Sequence, residues 1–481
     1  MSLADPREIR VGSARFAPSR FWKFYEFLVL GLCAGLICWE LFLPPALGVA
    51  DNNDFPKLIG RYCLGPASAR DYPLFDYVSF SYRYDPGYCW NSGLTSSAVL
   101  PLAVARLLAG LAMPPSRFDL RLLGAVYAAL FLIAFHLLQR LARQLRPRAR
   151  LLLPAVFLLV FAGAAYVPYF NSFYFDTAAY IFLLFSIVAL CHVVLLPEIR
   201  IARYLLTLCA CILFATAKTQ HAPLALLMIP AFWLPFGRAV FPSRLWRLAA
   251  TASVGLAVAA MFAVPSSYRS VALYNALFYQ CLPRSPDPAH DLARLGINPD
   301  MARYSGQHAF LPASPMNNAQ EVEKFGRQFS TMKLAGYYLS HPRVTAQVLL
   351  YILGEGSLQR VRMKVGQREY RLGNYTGDTG RPPESQSHFL DFWSQSKAAL
   401  FGNRPFCYVA YVVGLLVALW TIAWRRMPPL RARLAVLAGI LSGMLALSAV
   451  VVLFDAVDTG RHLFLFNMLL DVAICGLVAF S

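Results

Sequence analysis

Four short stretches hold the side chains best suited to chemistry: ADNNDF, NSFYFD, AKTQH and DAVDTGRH. In the first, Asp51 and Asp54 flank two asparagines directly after a long apolar run. A carboxylate placed there can act as a general base, alone or beside a divalent ion. The same residues also suit an ordinary Asn/Asp-rich turn at a helix end. In the second, Asp176 is the only formally charged side chain between Leu151 and Leu195. A carboxylate in hydrocarbon costs roughly 2.5–3.5 kcal/mol even on the gentler insertion scales, so its place needs a reason. Asn171, Ser172 and Tyr174 make a polar helix end beside it, where a carboxylate can face a cavity instead of lipid. In the third, Lys218, Gln220 and His221 share a turn. The lysine and the histidine can hold a phosphate as point charge and hydrogen-bond donor. A lysine snorkelling from a helix end is the plainer account. In the fourth, Asp455 and Asp458 precede Arg461 and His462. Arg461 suits bidentate phosphate recognition, and an Asp–Arg pair also suits a simple surface salt bridge.

The elements that position these residues are membrane helices. The chain has 481 residues, 58% of them hydrophobic and 14% charged. Apolar runs fall at 24–48, 120–138, 151–169, 177–196, 202–217, 222–236, 248–265, 404–424, 434–454 and 463–480. A span takes about 20 residues. The expected fold is therefore an all-α, polytopic transmembrane bundle of about ten spans. The net charge of +19 reads as topology rather than nucleic-acid binding, because the arginines cluster between spans. A basic N-terminus runs into an apolar stretch too long for a cleaved leader, so the first span is expected to be retained.

Arginine groups at 7–23, 140–150, 200–203, 238–247 and 425–433 share one side if residues 96–116 do not cross. That side is the cytoplasm, where the N-terminus lies. Residues 96–116 then read as a helix lying in the interface. The opposite side collects 50–95, 170–176, 218–221, 266–403 and 455–462, which carry all four stretches. The chain divides into an N-terminal transmembrane module (1–265), a mostly helical outer insertion (266–403) and C-terminal transmembrane helices (404–481). Cys63 and Cys89 share the first outer loop and can bridge in an oxidising compartment. Asp471, deep in the last run, is a second costly carboxylate expected to pair within the bundle. No Walker loop, dinucleotide fingerprint or Cys/His metal spacing occurs.

With these residues in place, the sequence resembles the GT-C class of polytopic glycosyltransferases. The class has an acidic residue in the first outer loop, an interfacial helix after it, further acids on outer turns and a large late insertion. More narrowly, NSFYFDTAAY, AKTQHAPLAL, YNALFYQCLPRSPDP and RHLFLFNMLLD resemble the WsfD-type bacterial hexose transferases. The resemblance runs over roughly residues 30–475. It departs at Asp176, where glutamate is more usual. It implies a multi-pass protein of the bacterial inner membrane with a periplasmic site. Its partners would be a polyprenyl-phosphate-linked sugar donor, a glycan or lipid-linked acceptor and membrane lipids. Asp54, with Asp51 second, would be the base in an inverting transfer. Asp176 would orient the acceptor or share a metal, and Asn171 and Tyr174 would contact sugar hydroxyls. Lys218, Arg461 and His462 would hold the phosphate, with Gln220, His221 and Asp458 beside them. Mg²⁺ or Mn²⁺ suits such carboxylates, though the sequence does not require either. A flippase of lipid-linked glycans is the rival, with Asp471 and His192 as its best support. A ligase or polymerase of preassembled glycans is a third reading.

Overall fold

Lipid offers the backbone no hydrogen-bond partner, so apolar runs bounded by arginine fold as helices. The computed structural model describes residues 20–44, 46–67, 74, 78–196, 201–233, 244–357, 364–365, 368–369, 392–402, 404–454 and 456–480. Its first helices are α1 (Arg20–Phe42), α2 (Pro56–Ile59), α3 (Val99–Ala112), α4 (Leu120–Ala142), α5 (Pro147–Phe161), α6 (Phe175–Leu195) and α7 (Ile201–Ala215). Next come α8 (Ile229–Trp233), α9 (Arg244–Met261), α10 (Ser266–Tyr274), α11 (Pro288–Leu295), α12 (Ala319–Gln328), α13 (Thr331–Ser340) and α14 (Pro342–Ser357). The chain finishes with α15 (Phe392–Phe401), α16 (Pro405–Trp424), α17 (Pro428–Val451), α18 (Thr459–His462) and α19 (Phe464–Phe480). The protein is a polytopic helical membrane protein.

Among the described residues, 5 helices are long and apolar enough to cross: α1, α4, α6, α16 and α17 with the turn after it. The pair formed by α9 and Ser266–Arg284, bent by 77°, makes a sixth if it counts as one span. The ten expected apolar runs include others that are interrupted or shorter than a full span. Hydropathy alone does not register what interrupts a helix. The run at 222–236 is a 3₁₀ stretch, Thr219–Met228, with Pro223 inside it, followed by the five-residue α8. The run at 151–169 stops at Phe161 and resumes as a 3₁₀ turn, Val167–Asn171. The helices α3, α7 and α19 are apolar but shorter than a full span.

The two ends of the bundle differ in chemistry. At one end Glu26 of α1 accepts from Arg143 at 2.6 Å and from Arg150 at 2.8 Å. At α17 Arg433 donates to the carbonyl of Leu195, the last residue of α6, at 3.2 Å. Arg426 donates to the carbonyl of Phe480. The basic groups at 140–150 and 425–433 thus contact the ends of α1, α6 and α19, as the charge pattern requires.

The other end begins with α3. Ser96 Oγ donates to the carbonyl of Ala217 at 2.5 Å, and Ser97 N to that of Thr216 at 2.9 Å. After α3 the chain enters strand β3 (Arg117–Asp119). That strand pairs antiparallel with β2 (Ser81–Tyr84), which pairs with β1 (Leu64–Pro66). Both ends of α3 therefore meet segments at one end of the bundle, as the interfacial reading of 96–116 expects. Its exposed Leu100, Val104, Leu107, Leu108 and Leu111 recur at helical spacing and form a single apolar stripe. Cys63 and Cys89 are bridged, tying the loop before β1 to the turn after β2.

α6 lies at the centre of the bundle, with 72% of its apolar stretch buried, against 11% for α16. The described helices of the insertion return to the same end. Tyr338 OH on α13 donates to the carbonyl of Leu453 at 2.7 Å, and α14 packs along α16. Residues 370–391 of the insertion lie outside the described residues, as does Asp455.

Candidate functional site

The first outer loop builds itself around Asp51. Its Oδ1 accepts from the amides of Asp54 at 2.9 Å and Phe55 at 3.0 Å, capping the turn into α2. Asn53 takes a left-handed φ of 79°, a conformation that asparagine tolerates better than most residues. That turn aims Asp54 across the outer end of the bundle, and α2 places Lys57 three residues on, within hydrogen-bond reach of Asp54 Oδ1. Lys57 was not among the residues singled out from sequence. The i,i+3 spacing to Asp54 was its signal, but a lysine in a polar loop is usually unremarkable.

Arg461 is where the separate stretches meet. Its Nη2 donates to Asp54 Oδ2 at 2.6 Å, and its Nε to Asp458 Oδ2 at 2.6 Å. Its Nη1 lies 3.6 Å from Asp176 Oδ2. The guanidinium stacks 4.6 Å above the Tyr174 ring, a cation–π contact. Asp458 is left-handed at φ 68°, and Gln280 steadies that turn by donating to the Ala456 carbonyl at 3.2 Å. Gln280 belongs to a π-helical segment, Asn275–Cys281, a rare geometry that concentrates at functional sites.

Asp176 stands in the first turn of α6 and is 1% exposed. Lys218 Nζ donates to its Oδ1 at 2.8 Å, and His221 Nε2 lies 3.9 Å from the same oxygen. The 3₁₀ turn explains why both reach it, since residues three apart eclipse in that helix. Asp54, Asp176 and Asp458 therefore share Arg461, with Lys57 and Lys218 at the flanks. The carboxylate in the apolar stretch is stabilised by cations brought from other segments.

The electrostatics follow from this crowding. Burial opposes ionisation of Asp54, but the charges and hydrogen bonds of Lys57 and Arg461 outweigh it. Its carboxyl is held well below the usual carboxylate range. Burial works against the Lys57 ammonium, and Asp54 raises it above its ordinary value on balance. Burial is also the main effect on His221, whose imidazole is pushed below its ordinary range in spite of Asp176.

Some expected site residues also carry structure. Asp51 is 4% exposed and spends one oxygen as a cap. Asn171 is fully buried, and its amide donates to the carbonyls of Leu41 at 3.0 Å and Leu47 at 2.7 Å. It ties its own turn to the end of α1. Tyr174 is 1% exposed; its hydroxyl donates to the Ala50 carbonyl at 2.7 Å and accepts from Asn52 N at 3.0 Å. Its ring supports Arg461 and its hydroxyl anchors the Asp51 loop. Gln220 projects from another side of the 3₁₀ turn, and no hydrogen bond of its side chain joins it to the cluster. His462 is buried one residue beyond Arg461, and its amide closes the turn on the Asp458 carbonyl at 3.1 Å.

Among the described residues no three His, Cys, Asp or Glu side chains gather as a metal set. The converging carboxylates are instead turned to guanidinium and ammonium groups, so this arrangement does not fit a bound Mg²⁺ or Mn²⁺.

No curated protein matches the sequence. Among solved structures, the archaeal oligosaccharyltransferase AglB from Archaeoglobus fulgidus, in complex with an inhibitory peptide and a dolichol-phosphate, is similar at 13% identity with a TM-score of 0.37. The similarity covers 96% of this chain and 50% of that one, so the chain spans about half the length of that structure. The family described as the YfdI N-terminal transmembrane domain matches over residues 20–480. That is nearly the whole sequence, and the chain belongs to that family.

Proposed function

We propose that the protein is a GT-C-type glycosyltransferase of the bacterial inner membrane. It moves a sugar from a polyprenyl-phosphate carrier to a glycan or lipid-linked acceptor at the periplasmic face. The observation that carries this reading is the convergence of Asp54, Asp176 and Asp458 on Arg461 at one end of the bundle, with Lys57 and Lys218 beside them. A lipid-borne phosphate needs cations at membrane depth, and a hydroxyl nucleophile needs a base. Both are within one cluster. The resemblance to WsfD-type transferases supports a hexose as the group moved.

The resting ion pairs suit a coupled sequence of events. Asp54 held by Lys57 and Arg461 is a weak base. An arriving phosphate competes for Arg461 and Lys218, since arginine matches its oxygens bidentately. Asp54 then loses the guanidinium that depresses its basicity. It accepts the proton of the acceptor hydroxyl as that oxygen forms a bond to the anomeric carbon. The bond from that carbon to the carrier oxygen breaks, and the polyprenyl phosphate leaves with the electron pair. Attack opposite the leaving group inverts the configuration.

The residues that best suited a flippase are partnered inside the bundle. Asp471 accepts from Lys397 at 3.0 Å, and His192 Nε2 is 3.0 Å from the Leu137 carbonyl. Neither is arranged as a mobile carrier group. The test uses cells lacking the protein, restored with wild type or with Asp54→Asn, and mass spectrometry of surface glycans and polyprenyl-linked sugars. The expected result is loss of one hexose, accumulation of a monosaccharide carrier, and no rescue by the variant. General-base removal costs on the order of 10²–10⁴-fold. Loss of whole chains with oligosaccharide carriers accumulating would replace this reading with a ligase, polymerase or flippase. Full rescue by Asp54→Asn would remove Asp54 as base.

A further inference from the structure

A second buried ion pair lies outside the Arg461 cluster, and the proposed chemistry does not use it. Lys397 on α15 is 3% exposed and Asp471 on α19 is fully buried. The ammonium is 3.1 and 3.0 Å from the two carboxylate oxygens. Trp393 Nε1 donates to Oδ1 at 3.0 Å, and Tyr166 OH to Oδ2 at 2.5 Å. Desolvation offsets most of the attraction in such a pair, so net stability is a poor account of it. Fixing one register among several is its best-attested use.

What that register controls can be followed along α19. Asn467, one turn before Asp471, accepts from Tyr408 OH at 2.7 Å. Phe464, a further turn up, packs against Tyr169 at 4.2 Å and against Tyr166 and Tyr180 at 5.5 Å. Tyr166 therefore holds Asp471 with its hydroxyl and Phe464 with its ring. Arg461 lies three residues before Phe464, in the short helix α18 that leads into α19. The side chains that Arg461 grips, Asp54 and Asp176, come from other elements. The distances to them depend on where α19 sits along its axis.

We infer that Lys397 and Asp471 are positioning residues, whose ion pair fixes the register of α19 and thereby holds Arg461 where the donor phosphate binds. This rests on the reading of Arg461 as phosphate anchor. The pair also joins α15, at the end of the outer insertion, to the last helix.

The experiment uses the full chain in nanodiscs with short-chain polyprenyl-phosphate hexoses as donor probes. Single charge removal leaves an uncompensated buried ion and endangers folding. The chosen variant is therefore the double Lys397→Met/Asp471→Leu, with Tyr166→Phe as the milder second. A misplaced Arg461 raises KM for the donor, by about tenfold or more in the double variant, and leaves KM for the acceptor alone. Displacements near 1 Å at catalytic groups cost up to about 10²-fold. A merely stabilising pair would lower the active fraction, and so the maximal rate, with both KM values unchanged. That result in the double variant overturns the inference. If the double variant fails to insert, an unchanged donor KM in Tyr166→Phe overturns it equally. Wild type that transfers none of these sugars would instead remove the glycosyltransferase reading, a separate outcome.

Discussion

At the scale of single residues the site is held by compensation. Every carboxylate in it faces a cation, and Arg461 cannot be exchanged for another cation at equal effect. Lysine offers one point of charge and no planar fork, so it cannot bridge Asp54 and Asp458 while facing Asp176. Arg461→Lys is expected to lower transfer by about 10²-fold or more, mostly through the donor, as measured by KM for the lipid-linked sugar. Asp54 makes a prediction about acid. Its folded pKa lies below the unfolded value, so its ionised form contributes stability above about pH 4. That contribution is lost as the pH falls further, toward the folded value. Thermal melts in detergent at pH 7 and pH 3 should show a smaller acid loss for Asp54→Asn than for wild type. The carboxylates themselves were legible in the sequence, since Asp54, Asp176 and Asp458 are costly or concentrated where they stand. Their partners were less so. Asn171 and Tyr174 have the right types for sugar contacts, yet burial turns both toward backbone carbonyls. Sequence shows what a side chain can bond to, not which partner reaches it first.

At the scale of elements, close approach decides more than hydropathy. Asn171 can reach the carbonyls of Leu41 and Leu47 because Gly124 on α4 leaves room for it. A Cβ at Gly124 would stand 2.1 Å from Asn171 Oδ1. Gly124→Ala must therefore push the amide off its acceptors or bend α4. The expected loss is about 1–3 kcal/mol, since it strands buried polar groups as well as crowding them. A fall in the detergent melting temperature checks it, and an unchanged melt would mean that the tie from Asn171 to the end of α1 is not needed. The same reasoning explains the spans. Arginine placement identified which helix ends lie together, because charge is local and readable. Span boundaries were less legible, because Pro223 and the 3₁₀ turns break apolar runs that a composition count treats as continuous. For 96–116 the charge rule asks for no crossing, and β3 returns the chain to the end of the bundle that it left.

At the scale of the molecule, the question is which compartment the Arg461 cluster faces. The two ends of the bundle are chemically distinct. One carries Arg140, Arg143, Arg146, Arg148 and Arg150 with the arginines at 425–433, and the other carries the ion-pair cluster, the small sheet and the disulfide. Positive charge flanking short loops is retained on the cytoplasmic side, and disulfides persist on the oxidising one. Both arguments support the periplasmic position proposed for Arg461, where a lipid carrier already flipped outward would present its sugar. Exposed Arg148 and exposed Asp300 lie toward opposite ends of the bundle and are suited to report on it. In spheroplasts, a membrane-impermeant maleimide is expected to label Asp300→Cys but not Arg148→Cys, with the parent chain as background. Opening the membrane should then make Arg148→Cys reactive. Labelling of Arg148→Cys in sealed spheroplasts would put the cluster in the cytoplasm. There, nucleotide sugars replace lipid carriers as the accessible donors, and the cations around Arg461 would need a different phosphate to hold.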